Sequence, residues 1–390
     1  MMFIYFEPLQ KKWSHRRAGK TFVWGKNQQP LTTRPFLPAV AFRVRSAKNR
    51  IGPLVGIWTS PGKSSFAGNR AAFYRLHQAL QTVGGIAFVF THEGFNADSV
   101  TGCVYNARDE CWSETVMPLP DVVYNRLPFR EDEIGPAYDR LVNRFAKCGI
   151  PFFNRRFLDK WTIHDTLTRD PELQKHLPVT LHADVILLQS ALLHWPSVMI
   201  KPVDGHQGIG MFTIEKSEQG AFVVQTHEQT EHFMTFQALG ERFEQLTNDR
   251  AYVIQPRIPL DTHEKRPYDF RVLMQKLNGS WQLTGIGARV AGEKAITTHV
   301  PRGGSRLAID KLSPPVNLSA VESICSRAAE RLASEIDPLY ELSFDVGRDW
   351  SGHLWLFEAN AKPMVFDEKE IEAKRMRTLI AIMDRLSGFQ

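Results

Sequence analysis

Cysteine is scarce: Cys103, Cys111, Cys148 and Cys325 form no CxxC pair and are too few for a disulfide framework in 390 residues. Reduced thiols and a cytoplasmic location are expected. Long apolar runs are missing too. The greasiest stretch, Val185 to Ile200, is broken by Gln189, Ser190, His194, Pro196 and Ser197, so no transmembrane segment is expected. Met1 to Phe6 has no basic segment before it and no small-residue cleavage site near it, which argues against a signal peptide. A P-loop is also lacking. Gly62-Lys63-Ser64 imitates its end, but the required glycine five positions earlier is Ile57, so a surface turn is expected there.

What remains is ordinary in bulk, with 43% apolar and 23% charged residues, and uneven in charge. The length suggests two or three domains. Through Arg50 there are eleven Lys/Arg against Glu7 alone, a charge of +10, so the net +6 of the chain leaves −4 on the remainder. Such an arm could meet nucleic acid, an anionic surface or a partner. It is not of low complexity, however, and Phe36 to Val44 reads as strand. A solvated, partly folded basic segment is expected over residues 1–50, with nucleic acid disfavoured as its partner.

From Ile51 the pattern is α/β. Leu54–Trp58 reads as a buried strand, Arg70 to Val83 as a helix stopped by Gly84-Gly85, and Ile86–Phe90 as the next strand, which together make a βαβ unit and a parallel sheet. Pro120–Arg126 adds a strand and Ala137–Cys148 a helix.

Further on, the strand Ser197–Ile200 runs into Lys201-Pro202 and then Gly205, Gly208 and Gly210. Glycines allow backbone N–H groups to approach a polyphosphate, and a lysine adds a point charge; a glycine-rich hairpin with an exposed lysine is the plainer alternative. A helix is expected from about His232 to Leu246. Pro256 and Pro259 make the end of the strand Ala251–Gln255 an edge or hinge, where unpaired backbone could meet an adenine ring. Phe270–Leu277, Asn278-Gly279 and Trp281–Val290 predict a hairpin with Arg271 and Arg289 at the outer ends of its strands, either clamping phosphate or a substrate carboxylate or solvated at an edge. A last hairpin joins Leu342–Val346 to Leu354–Asn360. Period-two geometry puts Glu358 and Asn360 on one face, with Asp345 opposite or nearly so. Two carboxylates and an amide oxygen suit Mg²⁺.

The order of Lys160, Ile200-Lys201-Pro202 with its glycines, Gln255, Asp269-Phe270-Arg271, and Asp345 followed by Glu358-Ala359-Asn360 resembles the ATP-grasp superfamily. More narrowly, Asp121-Val122-Val123-Tyr124-Asn125-Arg126, the run Phe153 to Trp161, Leu177-Pro178-Val179-Thr180 and Phe357-Glu358-Ala359-Asn360-Ala361-Lys362-Pro363 resemble the YheC/YheD family of endospore coat-associated proteins, over about residues 51 to 370.

The resemblance implies an ATP-grasp fold, α/β in class and α+β in its C-terminal half. It would comprise a preATP-grasp parallel-sheet domain (51–155) and an ATP-grasp region (156–390), with a lid over about 165–256 and a metal-bearing C-terminal subdomain over about 257–390. It implies ATP and Mg²⁺ as cofactors. Lys160 and Lys201 would contact the α- and β-phosphates, under a loop carrying Gly205, Gly208 and Gly210. Gln255 would accept from the adenine amino group where many relatives have glutamate, and the backbone of Arg257 and Ile258 would complete that contact. Asp345, Glu358 and Asn360 would hold Mg²⁺. The implied activity is ADP-forming joining of a carboxylate to an amine through an acylphosphate, with substrates unspecified and association with the endospore coat or envelope. An ATP-binding scaffold without turnover and an ATP-grasp phosphotransferase are the alternatives.

Overall fold

Alternation of apolar and polar residues closes the N-terminus into a barrel in the computed structural model, which describes residues 1–33, 39–205, 208–293, 297–298 and 303–389. Strands β1 (Met2–Glu7), β2 (Lys12–His15), β3 (Phe22–Trp24), β4 (Gln29–Thr33), β5 (Val40–Ala47) and β6 (Arg50–Gly52) pair in the order β1-β2-β4-β3-β6-β5. On β5, Val40, Phe42 and Val44 point inward while Ala41 and Arg43 are exposed. Trp13 fills the centre, with its ring 4.8 Å from Phe6, 4.9 Å from Phe42 and 5.2 Å from Trp24. The basic residues of this segment therefore decorate a folded barrel rather than a partly folded arm. Of the run read as strand, Val40–Val44 lies in β5 and Phe36–Pro38 lies outside the described residues.

The second sheet contains β7 (Leu54–Trp58), β8 (Ile86–Phe90), β9 (Ser99–Asn106), β10 (Cys111–Pro118), β11 (Val122–Asn125) and β12 (Phe152–Phe153), ordered β10-β9-β8-β7-β11-β12. Its β8, β7, β11 and β12 are mutually parallel. Helix α1 (Arg70–Val83) starts behind Asn69, whose side chain accepts from the Ala72 N–H, and stops at Gly84 with φ 80°. Helix α2 (Pro136–Lys147) leads into β12. Lys63 sits on an exposed two-stranded turn, Pro61–Gly62 against Ser65–Phe66. The antiparallel pair β9/β10 was not apparent from sequence.

After α3 (Lys160–Thr168) comes a third sheet with β13 (Leu181–His182), β14 (Ser197–Pro202), β15 (Phe212–Lys216), β16 (Phe222–Gln225), β17 (Thr230–Phe233) and β18 (Tyr252–Pro256), ordered β13-β18-β14-β15-β16-β17. Helices α4 (Val185–His194) and α5 (Phe236–Thr247) supply its core through Leu188, Leu192, Leu239 and Phe243. Helix α5 begins later than the sequence suggests. Thr235 caps it by accepting from the Ala238 N–H, and His232 and Phe233 belong to β17.

The fourth sheet contains β19 (Arg266–Leu277), β20 (Ser280–Val290), β21 (Ser305–Leu307), β22 (Glu341–Arg348) and β23 (Leu354–Asn360), ordered β21-β20-β19-β22-β23. Asn278 and Gly279, at φ 55° and 86°, make the two-residue turn between β19 and β20. One face, with Phe270, Val272, Phe344 and Val346, packs on α6 (Leu318–Glu335). Helix α7 (Lys369–Ser387) returns to the second sheet, where Leu379, Ile382 and Met383 join Val55, Ile57, Val122 and Tyr124 in one core. Among the described residues, no helix is long and apolar enough to cross a membrane.

Barrel and second sheet share a single core: Phe6, Trp13 and Phe42 belong with Trp58, Phe88 and Phe90, and the Trp13 indole N–H donates to Thr115 Oγ1 at 2.7 Å. Removing residues 1–50 therefore uncovers aromatic surface on the sheet. Loss of soluble expression and of a single thermal transition is the expected outcome. A soluble truncation melting at the parent temperature would show the core is not shared.

Candidate active site

Across the fourth sheet, Arg271, Asp345 and Glu358 stand side by side in one row, since Arg271 pairs with Asp345 and Asp345 with Glu358. Two residues along, Asn360 faces Ser343 on the same side, and Asp269 pairs with Arg289. This face lies opposite the one packed on α6. A register shift beside Asp345 lets Val346 pair with Leu356, leaving Phe357 as the extra residue of a bulge. A Cβ on Gly347 would come within 2.4 Å of the Phe357 ring, so the bulge requires glycine there.

Arg271 stands elsewhere than sequence placed it, while Arg289 is at the outer end of β20 as expected. Arg271 is in the middle of β19, not at an outer end, because the strand begins at Arg266. It is half-buried, donates to the Met364 carbonyl at 3.0 Å and lies 4.3 Å from the Phe366 ring. Arg289 is buried rather than at a solvated edge. Its Nε and Nη2 reach Asp269 at 2.9 and 2.5 Å, and Nη2 is 3.0 Å from Asp345 Oδ2. Burial opposes the charge on Arg289, but the two carboxylates outweigh it and raise its pKa.

The third sheet presents its own charges to this face. Lys201 ends β14, buried, with Nζ 5.3 Å from the centre of the Phe357 ring. Burial and then the charge of Lys160 push its pKa down to about 8, against the opposite pull of Glu358 and Asp345. Lys160 is the first residue of α3, whose cap is the Asp159 carboxylate, and its Nζ donates to the Gly205 carbonyl at 2.7 Å. Gly208 and Gly210 have φ 71° and 73°, a region that favours glycine; residues 206 and 207 between them and Gly205 lie outside the described residues.

Gln255 is buried on β18 with one amide atom engaged and one not. Thr180 Oγ1 gives its proton to the Pro178 carbonyl at 3.0 Å, so it must accept from Gln255 Nε2, 2.9 Å away. Among the described residues, Gln255 Oε1 is left buried with no partner, an acceptor in want of a donor. Just beyond, the Arg257 N–H is taken by the Ser197 carbonyl at 3.0 Å, leaving its carbonyl as the backbone group it can offer, and half-buried Ile258 follows.

Sequence reasoning missed Asp269 as the anchor of Arg289, Thr180 as the orienting partner of Gln255, and Phe357 beneath Lys201. Asp269 was hidden by a second register shift, at Leu273/Met274, which leaves Thr284 extra; strict pairing from the Asn278-Gly279 turn would set Asp269 opposite Ala288. Phe357 was hidden by the bulge itself.

Residues 149–384 match the family model described as YheC/D like ATP-grasp. Endospore coat-associated protein YheD of Bacillus subtilis (strain 168) is 30% identical over 339 residues, covering 80% of this chain and 73% of YheD. YheC of the same organism is 25% identical over 295 residues, covering 72% of this chain and 81% of YheC. Among solved structures, D-alanyl-alanine synthetase A from Vibrio cholerae superposes with TM-score 0.52 at 12% identity, over 86% of this chain and 99% of that one. The ATP-grasp ligase PsnB complexed with minimal precursor gives 0.50 at 16%, over 87% and 99%. These two likenesses establish the fold, and with the match over residues 149–384 and the identity to YheD, this chain belongs to the YheC/D-like ATP-grasp family.

Proposed function

We propose that the protein is an ATP- and Mg²⁺-dependent ligase that joins a carboxylate to an amine and acts in association with the endospore coat. The observation that carries this reading is the meeting of two lysines from outside the fourth sheet with the acidic row on it: Lys160, Glu358 and Asp345 all act on the charge of Lys201. A polyphosphate fits between such groups. The buried acceptor of Gln255 suits an adenine amino group, so the chain's own residues fit ATP at both ends. Two carboxylates and an amide on one face, Asp345, Glu358 and Asn360, fit a hard cation, and these three would hold Mg²⁺. Bound there, Mg²⁺ would neutralise charge on phosphate oxygens.

The remaining chemistry follows from the chain's residues. Lys160 and Lys201 hold phosphates, with Gly205, Gly208 and Gly210 beside them. Arg289 holds Asp345 in place, with Nη2 3.0 Å from Oδ2. A substrate carboxylate oxygen attacks the γ-phosphorus, the bond to the β,γ-bridging oxygen breaks and ADP leaves. Arg271, beside Asp345 in the row, stabilises the negative charge that develops. An amine then attacks the acyl carbon of the acylphosphate, loses its proton and expels phosphate.

Gln255, an amide where a carboxylate is common among relatives, favours a second reading: an ATP-binding coat protein without turnover. Offering acids, amines and alcohols singly and in pairs while measuring ADP release separates the readings. Release stimulated only by an acid plus an amine is expected. Release with an alcohol alone would mean a phosphotransferase, and ATP binding with no release a scaffold.

The Glu358 side chain is half-buried and makes no hydrogen bond or ion pair among the described residues, so Glu358→Ala is expected to lower turnover by about 10²-fold or more with little change in melting temperature. Unchanged Mg²⁺-dependent nucleotide binding in that variant would exclude the site. Lys201 gives a pH signature. With its free-state pKa near 8 and a higher one once phosphate is bound, the complex carries the extra proton above about pH 8. ATP affinity should therefore fall as pH rises past that point, by up to about tenfold per unit. Lys201→Met should remove this slope and weaken ATP far more than adenosine. Equal losses for both ligands, measured by titration calorimetry, would make Lys201 merely structural.

A further inference from the structure

An open cavity of about 400 Å³ lies where α2 and β12 meet the segment leading into β22, and none of the residues placed in the nucleotide cleft lines it. Val142, Ile150, Phe152, Pro338 and Leu386 form an apolar wall, and Asn143, Tyr340 and Arg155 are its polar members. Arg155 is the unusual one. Among the described residues its Nε is buried without a hydrogen-bond partner, and its Nη1 reaches only the Asp337 backbone carbonyl, at 3.4 Å. Of the acids near it, Asp337 is exposed to solvent, and Glu335 and Asp159 are committed elsewhere. Glu335, in the wall of an adjoining cavity of about 190 Å³ that Arg155 also lines, lies 3.2 Å from Arg331 and 3.7 Å from Arg169. Asp159, in the same wall, caps α3 through Thr162. The outer guanidinium nitrogens are thus left with one long hydrogen bond to a neutral carbonyl, and a carboxylate would give them a charged, planar partner.

We propose that this cavity is a second ligand site, separate from the nucleotide cleft, for a small organic carboxylate with an apolar body. The carboxylate meets Arg155, and the apolar part lies against Phe152, Pro338 and Leu386. A shape of this kind, mostly apolar with a few convergent polar groups, is what small-molecule sites have. The inference does not depend on the proposed ligase activity, and its test needs no nucleotide.

The test is a titration of the nucleotide-free protein with 4-phenylbutyrate and with 4-phenylbutan-1-ol, followed by calorimetry and ligand-observed NMR. Saturable binding of the acid is expected, at least about tenfold tighter than that of the alcohol. Arg155→Gln should abolish the preference, and Ala146→Trp, which places an indole at the cavity mouth, should block both ligands. No saturable binding, equal affinity for acid and alcohol, or an unchanged preference in Arg155→Gln would each overturn the proposal. If Arg155→Gln fails to fold, Ala146→Trp decides: acid binding that survives it overturns the site.

Discussion

The site depends on two extra residues. In a strict ladder a hairpin fixes which face every side chain occupies, and a one-residue shift moves all of them to the other face. Phe357 is the extra residue in β23, and it brings Glu358 to the side of Asp345; without it Asp345 would face Phe357 and the carboxylates would lie on opposite faces of the sheet. Thr284 does the same in β20, bringing Arg289 opposite Asp269. Both bulges act on the one face that collects charge. The opposite face keeps its apolar alternation and its contact with α6.

Holding that sheet against the second is a compact polar cluster. Arg375 of α7 grips Glu341 of β22 at 2.7 and 2.9 Å, and Tyr124 of β11 donates to the same carboxylate at 3.0 Å. Burial alone would raise the pKa of Glu341, but Arg375 outweighs it and the net shift is downward. Asn154, just after β12, donates to the Glu341 and Ala361 carbonyls and accepts from the Tyr340 N–H. One partner of such a buried pair cannot be removed cheaply; an uncompensated charge left inside costs about 3–5 kcal/mol. The strand ends that frame the acidic row are thereby fixed to the parallel sheet.

Much of this was legible in the sequence because it is local. The βαβ unit, the cap and stop of α1, the Asn278-Gly279 turn and the pairing of the last two strands follow from periodicity and turn chemistry, and the observed elements lie within a few residues of them. The sequence set Asp345 opposite or nearly opposite Glu358 but only loosely in register, since bulges leave no periodic mark, and it left Arg271 out of that row. Arg289 was placed at its strand end, but its burial was left open for a related reason: a charged residue there looks solvated until its buried partner is known, and Asp269 becomes its partner only through the Thr284 bulge. The barrel was obscured by composition. Eleven basic residues up to Arg50 suggested a solvated arm, while the inward alternation of β5 and the aromatic cluster around Trp13 carry the fold.

The return of α7 to the second sheet bears on how the chain is made. Val55, Ile57, Val122 and Tyr124 complete their core only with Leu379, Ile382 and Met383, which are translated after the whole of the third and fourth sheets. A nascent chain emerging from the ribosome therefore carries an apolar sheet face that α1, through Phe73, Leu76 and Leu80, covers only in part. Sequential, domain-by-domain folding is closed to it, and chaperone occupancy of that face should persist until α7 has cleared the exit tunnel.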